Sequence, residues 1–572
     1  MYQMKPLEKR IIQRKIAEAK EERRAKRLQK AENPTEGRKA WRSTEKARRG
    51  LARVIFSRGF LIAFLVLIQI LFSIFIFQAL PQYAARIQSF HGFIGLLAVI
   101  AIVNASGTDA AKLTWMVFVM VFPIAGTVFY LYSRYDVGVR RIGKRLATLR
   151  VDTAALLRQS AVVRRDLRQL RPDMAGLSTY LARQVGFPTY ENTKAVYYSG
   201  GEEFFEDLIP EMKAAKEFIF LEFFIVDFGV LLDRVLEVLR QKVDEGVEVR
   251  LLYDGMCSLN KLPINYWKKL NEMGIKCKVF NQIRPVVSSV QNNRDHRKIV
   301  VIDGRSAYTG GVNIADEYVN LKERFGNWKD AGIRLEGDAV KSFTVMFLQM
   351  WNIDNEAGED YGKFIPDRRK MRSVNTQEAG LNGEDAAEAA DSFVIPYGDS
   401  PFDNEDVGRN VYIYLLQQSR RYVHIMTPYL IPDRGMRREL CQAAKCGTQV
   451  RIIMPHIPDK KYAYILGRSY YKELLSAGVQ IYEYNEGFVH AKVWVCDDEI
   501  ATVGSVNLDF RSFYWHFECG AVVCDRQTAL AVEEDYNNTL QNCRKISMVD
   551  AEQRSIGEKL LGAILRVIAP VM

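Results

Sequence analysis

Uncharged apolar stretches crowd one end of the chain, and alternating short elements fill the rest. Gly59 to Leu80 runs 22 residues without a charge, long enough to span a bilayer. Leu113 to Tyr132 reads as a second span, with Trp115, Tyr130 and Tyr132 near its ends. Between them, residues 88–104 hold a shorter apolar run, a possible span or a re-entrant segment, with the re-entrant or interfacial reading favoured. From about Gly186, strand-like apolar runs alternate with amphipathic helices such as Leu231–Glu245. That alternation predicts an α/β sheet with helices on its faces.

The alternation predicts a division of the chain. Residues 1–58 form a basic helical arm, 59–133 a transmembrane anchor region (spans at about 59–80 and 113–132), and 134–185 a basic helical connector. Residues 186–354 make a first lobe, 355–392 a polar interlobe loop, and 393–543 a second lobe. A C-terminal amphipathic helix occupies 544–572, with Ile556, Leu560, Ile564 and Val567 on one face; it either packs on the second lobe or lies on a membrane surface.

The chemistry-bearing stretch is NNRDHRKIVVIDGRSAYTGGVNIADEYVN, residues 292–320. His296 and Lys298 are two residues apart in an apolar run, so on an extended strand they share a face. Asp303 follows His296 by seven residues and falls on the other face; with Gly304 it predicts a hairpin turn. Folding about that turn brings Gly310, Gly311 and Asn313 beside His296 and Lys298. An imidazole, an ammonium and an amide converging next to small glycines suit a phosphate group.

The pattern occurs twice. HAKVWVCDDEIATVGSVNLDF places His490, Lys492, Asp497, Gly504, Ser505 and Asn507 at the same offsets. The flanks repeat as well: FIFLEFFIV (218–226) answers YVHIMTPYLI (422–431), GVEVRLLYDG (246–255) answers GTQVRIIMP (447–455), and GIKCKVFN (274–281) answers GVQIYEYN (478–485). The chain therefore carries an internal duplication of about 200 residues.

With FLEFFIV, DHRKIVVIDG, AYTGGVNIADEY, TPYLIPD and the paired motifs in hand, the chain from about Lys112 onward resembles the phospholipase D superfamily and, within it, the bacterial cardiolipin synthase family. The resemblance implies an α/β fold of two pseudo-twofold-related phospholipase D-like lobes, each a mixed sheet flanked by helices, behind N-terminal transmembrane helices. One active site lies between the lobes. It also implies a phosphohistidine intermediate, with His296 as nucleophile and His490 as acid, and needs neither metal nor cofactor. Lys298 and Lys492 would neutralise phosphoryl oxygens, and Asn313, Asn507, Gly311 and Ser505 would line the substrate. Asp303 and Asp497 complete the catalytic motif of the resemblance, although their spacing makes them turn residues. Each histidine needs an acceptor for its second nitrogen. Glu518 stands where the family places one, and Asp330 is the first-half candidate.

Charge narrows the partners. The net charge of +12 resides in residues 1–58, whose nineteen Lys and Arg face seven Glu; the other 514 residues are balanced. A balanced catalytic portion argues against nucleic acid and for phospholipid, phosphatidylglycerol in the resembled family, with the arm on an anionic leaflet. Basic residues before the first span and after the last (Arg134, Arg140, Arg141, Lys144, Arg145) put both in the cytoplasm, and the lobes with them. Eight scattered Cys without C-x-x-C spacing read as reduced thiols. No H-x-x-x-H, H-E-x-x-H or Cys cluster predicts a metal site. His91, His424 and His456 read as structural, whereas His516 stands two residues before Glu518, where many members of the resembled superfamily carry Asn. Glu222 reads equally as a functional group or a satisfied buried acid. Three functions fit: a membrane phosphatidyltransferase making cardiolipin from two phosphatidylglycerols, a phospholipase D-type hydrolase or nuclease, and a scaffold without activity. Intact motifs in both copies argue against the scaffold, and oligomeric state leaves no trace in the sequence.

Overall fold

The computed structural model describes residues 58–134, 137–257, 261–282, 292–355, 358–366 and 392–571. The basic arm lies outside the described residues apart from Arg58, as does most of the polar interlobe stretch. Two compact units are distinguished among the described residues: 58–89, and everything from Phe90 onward.

The first unit holds the helix Arg58–Ala79 and the beginning of the helix Pro81–Val103. These two are long and apolar enough to cross a membrane by length and composition. Leu113–Tyr132 is corrected: it forms two short helices, Asp109–Val121 and Pro123–Arg134. Pro123 lacks an N–H and its ring crowds the preceding turn, so the helix stops at Phe122. The pieces fold back on each other because Gly126 lies against Val119, where an added Cβ would come within 2.8 Å of the Val119 Cα. At 13 and 12 residues, each reaches only about 20 Å, short of a roughly 30 Å hydrocarbon core. The stretch 88–104, read as a possible span or a re-entrant segment, belongs to the 23-residue helix Pro81–Val103, which favours the first alternative.

The second unit contains two large mixed sheets. In the first, β1 (Thr193–Tyr198), β2 (Phe218–Phe223), β3 (Glu248–Asp254), β4 (Lys276–Phe280), β5 (Ile299–Ile302), β6 (Ser306–Gly310) and β7 (Gly332–Gly337) lie in the order β1-β7-β6-β5-β2-β3-β4. The second uses β8 (Phe393–Asp399), β9 (Tyr422–Met426), β10 (Gln449–Pro455), β11 (Gln480–Tyr484), β12 (Val493–Cys496), β13 (Ile500–Gly504), β14 (His516–Cys524) and β15 (Cys543–Lys545), in the order β8-β14-β13-β12-β9-β10-β11-β15. Adding seven to each label of the first sheet gives the second, with β15 appended. The duplicated flanks thus occupy equivalent strands.

In each sheet three parallel strands, β2-β3-β4 and β9-β10-β11, adjoin an antiparallel hairpin, β5-β6 and β12-β13. The helix Val230–Asp244 crosses from β2 to β3, one residue off the amphipathic run expected at Leu231–Glu245. The helix Val340–Trp351 is buried on nearly every face, touching strands of both sheets, with Phe347 stacked on Phe220 at 4.7 Å. One hydrophobic core runs from Phe218 and Phe220 to Phe393 and Tyr397, so the sheets form one body. All eight Cys are free thiols.

Candidate active site

The H-x-K segments do not lie in regular strands as their spacing suggested. Each bridges two sheets. Arg294–Asp295 pairs in parallel with His516–Phe517, after which the chain enters β5. In the second copy Gly487–Val489 pairs in parallel with Asn327–Lys329 before the chain enters β12. The peptide N–H of His296 donates to Phe517 O at 3.0 Å, and that of His490 to Lys329 O at 2.6 Å.

This pairing delivers the acids. Nδ1 of His296 lies 2.9 Å from both carboxylate oxygens of Glu518, and Nδ1 of His490 lies 2.7 Å from Oδ2 of Asp330. Each histidine is therefore held by a carboxylate of the other half, a crossing that the sequence did not disclose. With Nδ1–H given to a carboxylate, Nε2 of each ring is the unprotonated nitrogen. All four side chains are buried.

Supporting contacts complete each pair. Ser505 Oγ donates to Glu518 at 2.5 Å. Asp330 accepts from the Ala331 N–H at 2.9 Å and the Trp328 indole at 3.2 Å. Gly311 stands against Asp330 and the His490 carbonyl, where an added Cβ would come within 2.0 Å of Asp330 Oδ1. Trp328 and His516 each lie two residues before the acid, and each ring packs on the histidine that acid holds, at 5.2 and 5.3 Å. The aromatic-x-acid offset was the sequence signal for both. His516 also lies 3.4 Å from Glu518 and 3.3 Å from Arg511, while Phe224 borders His296 and Tyr318 borders His490.

The cations are buried and close. Lys298 and Lys492 each donate to the backbone carbonyl of the histidine two residues before, and Lys492 Nζ is 2.8 Å from His490 Nδ1. Burial brings Lys298 down to about 8 and Lys492 to about 7. Burial, then Lys298, Lys492 and His490, hold His296 well below the usual imidazole range. Burial and Lys492 take His490 to about 4, with Asp330 opposing. Against the push of burial, His490, Lys492 and the donated N–H groups keep Asp330 ionised, at about 2. Asn313 Oδ1 accepts from the Ile225 N–H at 2.8 Å; among the described residues its buried Nδ2 and the Asn507 Oδ1 have no hydrogen-bond partner.

Asp303 and Asp497 occupy the turn positions that their spacing predicts. Both adopt positive φ, 52° and 56°. The Asp303 carboxylate accepts the N–H groups of Lys216, Glu217 and Phe218 at 2.8 Å, and Asp497 those of Arg420, Arg421 and Tyr422 at 2.7–2.9 Å. They pin the starts of β2 and β9 to the hairpin turns. Asp303→Ala is expected to cost about 2 kcal/mol, through lost acceptors and a strained left-handed turn. Thermal unfolding should shift down by a few degrees with kcat retained; a large kcat loss at unchanged stability would return Asp303 to the reaction.

Glu222 takes a structural place: it accepts from Arg297 Nε at 2.7 Å and so fixes the residue between His296 and Lys298. His424 pairs with Glu533 and stacks on Tyr422 and Tyr536, and His456 pairs with Glu483. His296, His516 and Glu518 offer donor atoms within 4.8 Å of one another, a set able to hold a metal ion. Lys298 and Arg511 flank it, and their positive charge opposes a cation there.

The family model described as "Cardiolipin synthase, PLD-like domain" matches residues 208–351 and 412–540, one segment per repeat. An uncharacterized protein of Streptococcus mutans is 44% identical over 83% of this chain and 99% of its own length. Cardiolipin synthase 2 of Bacillus anthracis is 32% identical over 80% of this chain and 86% of its own. Cardiolipin synthase 1 of Staphylococcus aureus is 30% identical over 81% and 92%. Among solved structures, a phosphatidylserine synthase of Haemophilus influenzae superposes with a TM-score of 0.52 at 15% identity, covering 70% of this chain and all of its own, which shows a shared fold. The chain therefore belongs to the bacterial cardiolipin synthase family of the phospholipase D superfamily, and it is an enzyme of phospholipid phosphatidyl transfer.

Proposed function

We propose that this enzyme makes cardiolipin and glycerol from two phosphatidylglycerols, through a phosphatidyl-histidine, in a two-lobed body anchored by its apolar helices. The observation that carries the reading is the crossed pair of dyads, His296–Glu518 and His490–Asp330, with both lysines buried beside them. Nε2 of His296 attacks phosphorus as the bond to the headgroup glycerol breaks, and His490 gives that oxygen its proton. The terminal hydroxyl of a second phosphatidylglycerol then attacks phosphorus, His490 takes its proton, and His296 leaves. Lys298 and Lys492 offset charge on the nonbridging oxygens, the Asn313 amide supplies a donor, and no metal enters.

One diester is exchanged for another, so the reaction is close to thermoneutral. Water competes with the lipid alcohol unless the site is dry and the alcohol is held in place. Purified enzyme given phosphatidylglycerol alone is expected to release cardiolipin and glycerol in equal amounts, with added glycerol driving the reaction back. Phosphatidic acid as the main product, without reversal, would make the enzyme a phospholipase D. Loss of turnover in EDTA, restored by a divalent ion, would overturn the metal-free route.

The pH profile gives a second test. Turnover from free enzyme needs His296 neutral and His490 protonated, and His490 sits at about 4. kcat/KM is expected to rise as pH falls below 6.5. A bound phosphodiester adds negative charge between the two lysines and raises the His490 pKa, so the alkaline limb of kcat should lie at higher pH than that of kcat/KM. Coincident limbs above pH 6.5 would contradict the burial of the dyad.

A further inference from the structure

Among the described residues, two helical apolar faces outside the site have no protein partner. In the C-terminal helix Ile556–Ile568, Gly562 and Leu565 are the buried positions. Ile556 (86% exposed), Leu560 (63%), Leu561, Ile564 and Val567 face outward, within an arc of about 140° at 100° per residue. Leu113, Val117, Met120 and Val121 form a similar exposed stripe on the helix Asp109–Val121.

The two stripes are joined. Thr114 Oγ1 donates to Val567 O at 2.5 Å, and the turn Ala569–Val571 packs on the helix Asp109–Val121. That helix in turn packs on Pro81–Val103: Ala98 and Ile102 meet Val119 and Tyr130 in one cluster, and Gly95 lies against Pro123. Phe93, Leu96, Leu97 and Ile100 are exposed on the same long helix. Exposed apolar surface therefore continues from a helix long enough to cross a membrane, over the short hairpin, to the C-terminus. The other end of this assembly reaches the site: the Trp515 indole donates to Pro570 O at 3.2 Å, and the next residue, His516, packs on His296.

We propose that the C-terminal helix and the Asp109–Val121 helix together lie in one leaflet at the headgroup–acyl boundary, a platform that holds the His296 side of the site at the lipid surface. The inference builds on the reading of a membrane-anchored enzyme. The occupant is a bilayer rather than a second copy because the patch runs without a break onto a helix whose length suits hydrocarbon. A helix of 13 residues is too short to cross and is amphipathic, the pattern of an in-plane helix.

The full-length protein in nanodiscs of phosphatidylcholine bearing a diazirine in its acyl chains tests this directly. After photolysis, peptides ending at Lys559 and Arg566 are expected to carry lipid adducts at a yield comparable with the helix Pro81–Val103. The helix Arg526–Gln541 serves as an unlabelled control. Adducts on Pro81–Val103 with none on Ile556–Ile568 would overturn the proposal, as would cross-links between copies through Leu560 or Ile564. In a second arm, the double variant Leu560→Glu, Ile564→Glu should raise KM for vesicular phosphatidylglycerol about tenfold. Turnover of a short-chain monomeric analogue should stay unchanged; an equal fall in both would mean that the helix only supports the fold. Labelling needs no catalysis, so a chain that labels as expected but releases phosphatidic acid keeps this inference and loses the synthase reading.

Discussion

His296→Ala is expected to abolish turnover, by at least about ten-thousand-fold, because in the proposed route it removes the group that attacks phosphorus and leaves only binding and the lysines. His490→Ala should be comparably inactive on phosphatidylglycerol, whose leaving glycerol needs a proton. The two separate on a donor with an acidic leaving group, such as a p-nitrophenyl phosphodiester. Departure of that group needs no acid, so His490→Ala should show a burst of one p-nitrophenol per enzyme, and then stop with the phosphatidyl group on His296. His296→Ala should show no burst. Mass analysis of the quenched protein reads the adduct on the peptide containing His296. A burst in His296→Ala and none in His490→Ala would exchange the two roles, since the crossed dyads are close to symmetric. Near-normal turnover in either variant on phosphatidylglycerol would remove the shared site altogether.

How much of this was legible in the sequence depends on the range of the interaction involved. The hairpins were legible because an Asp-Gly or Asp-Asp turn between apolar runs is local, and Asp303 and Asp497 do adopt positive φ at those turns. The matching strand orders were legible because duplicated flanks fold alike. The crossing of Glu518 to His296 and of Asp330 to His490 was not. It depends on strands of two or three residues, Arg294–Asp295 and Asn327–Lys329, paired with partners about 160 to 220 residues away. So short a strand leaves no period-two pattern. The H-x-K segments were misread for the same reason: an apolar run resembles one strand even where the chain passes between sheets. Leu113–Tyr132 failed differently. Summed hydropathy counts Pro123 as one residue among twenty, whereas sterically it ends a helix. His516 was visible as an outlier, but its packing on His296 and its contact with Glu518, which place it in the site, were not.

The carboxylate that holds each histidine carries the second large effect. Glu518→Gln keeps the size of the side chain but replaces an acceptor-only group with one that also donates. An amide oxygen can still take the His296 Nδ1–H, yet an amide NH₂ toward Nδ1 selects the wrong tautomer and puts the proton on Nε2, the attacking nitrogen. It also stabilises less of the positive charge that develops on the ring. In a serine protease triad the corresponding change costs about ten-thousand-fold in kcat, and a loss of about a thousand-fold or more is expected here. Ser505, which donates to Glu518 at 2.5 Å and accepts the Cys519 N–H at 3.0 Å, is expected to matter less; Ser505→Ala removes both bonds and should cost about tenfold. Because the dyads cross, the two amide variants should fail at different steps. With the p-nitrophenyl donor, Glu518→Gln should slow the burst itself, since the nucleophile is affected. Asp330→Asn should leave the burst rate near normal and slow the following transfer, since it disables His490 as the base for the acceptor hydroxyl. With His296 established as the nucleophile by the alanine variants, a slowed burst in Asp330→Asn and an intact one in Glu518→Gln would mean that each carboxylate serves the histidine of its own half, and the crossed geometry would not be the working one.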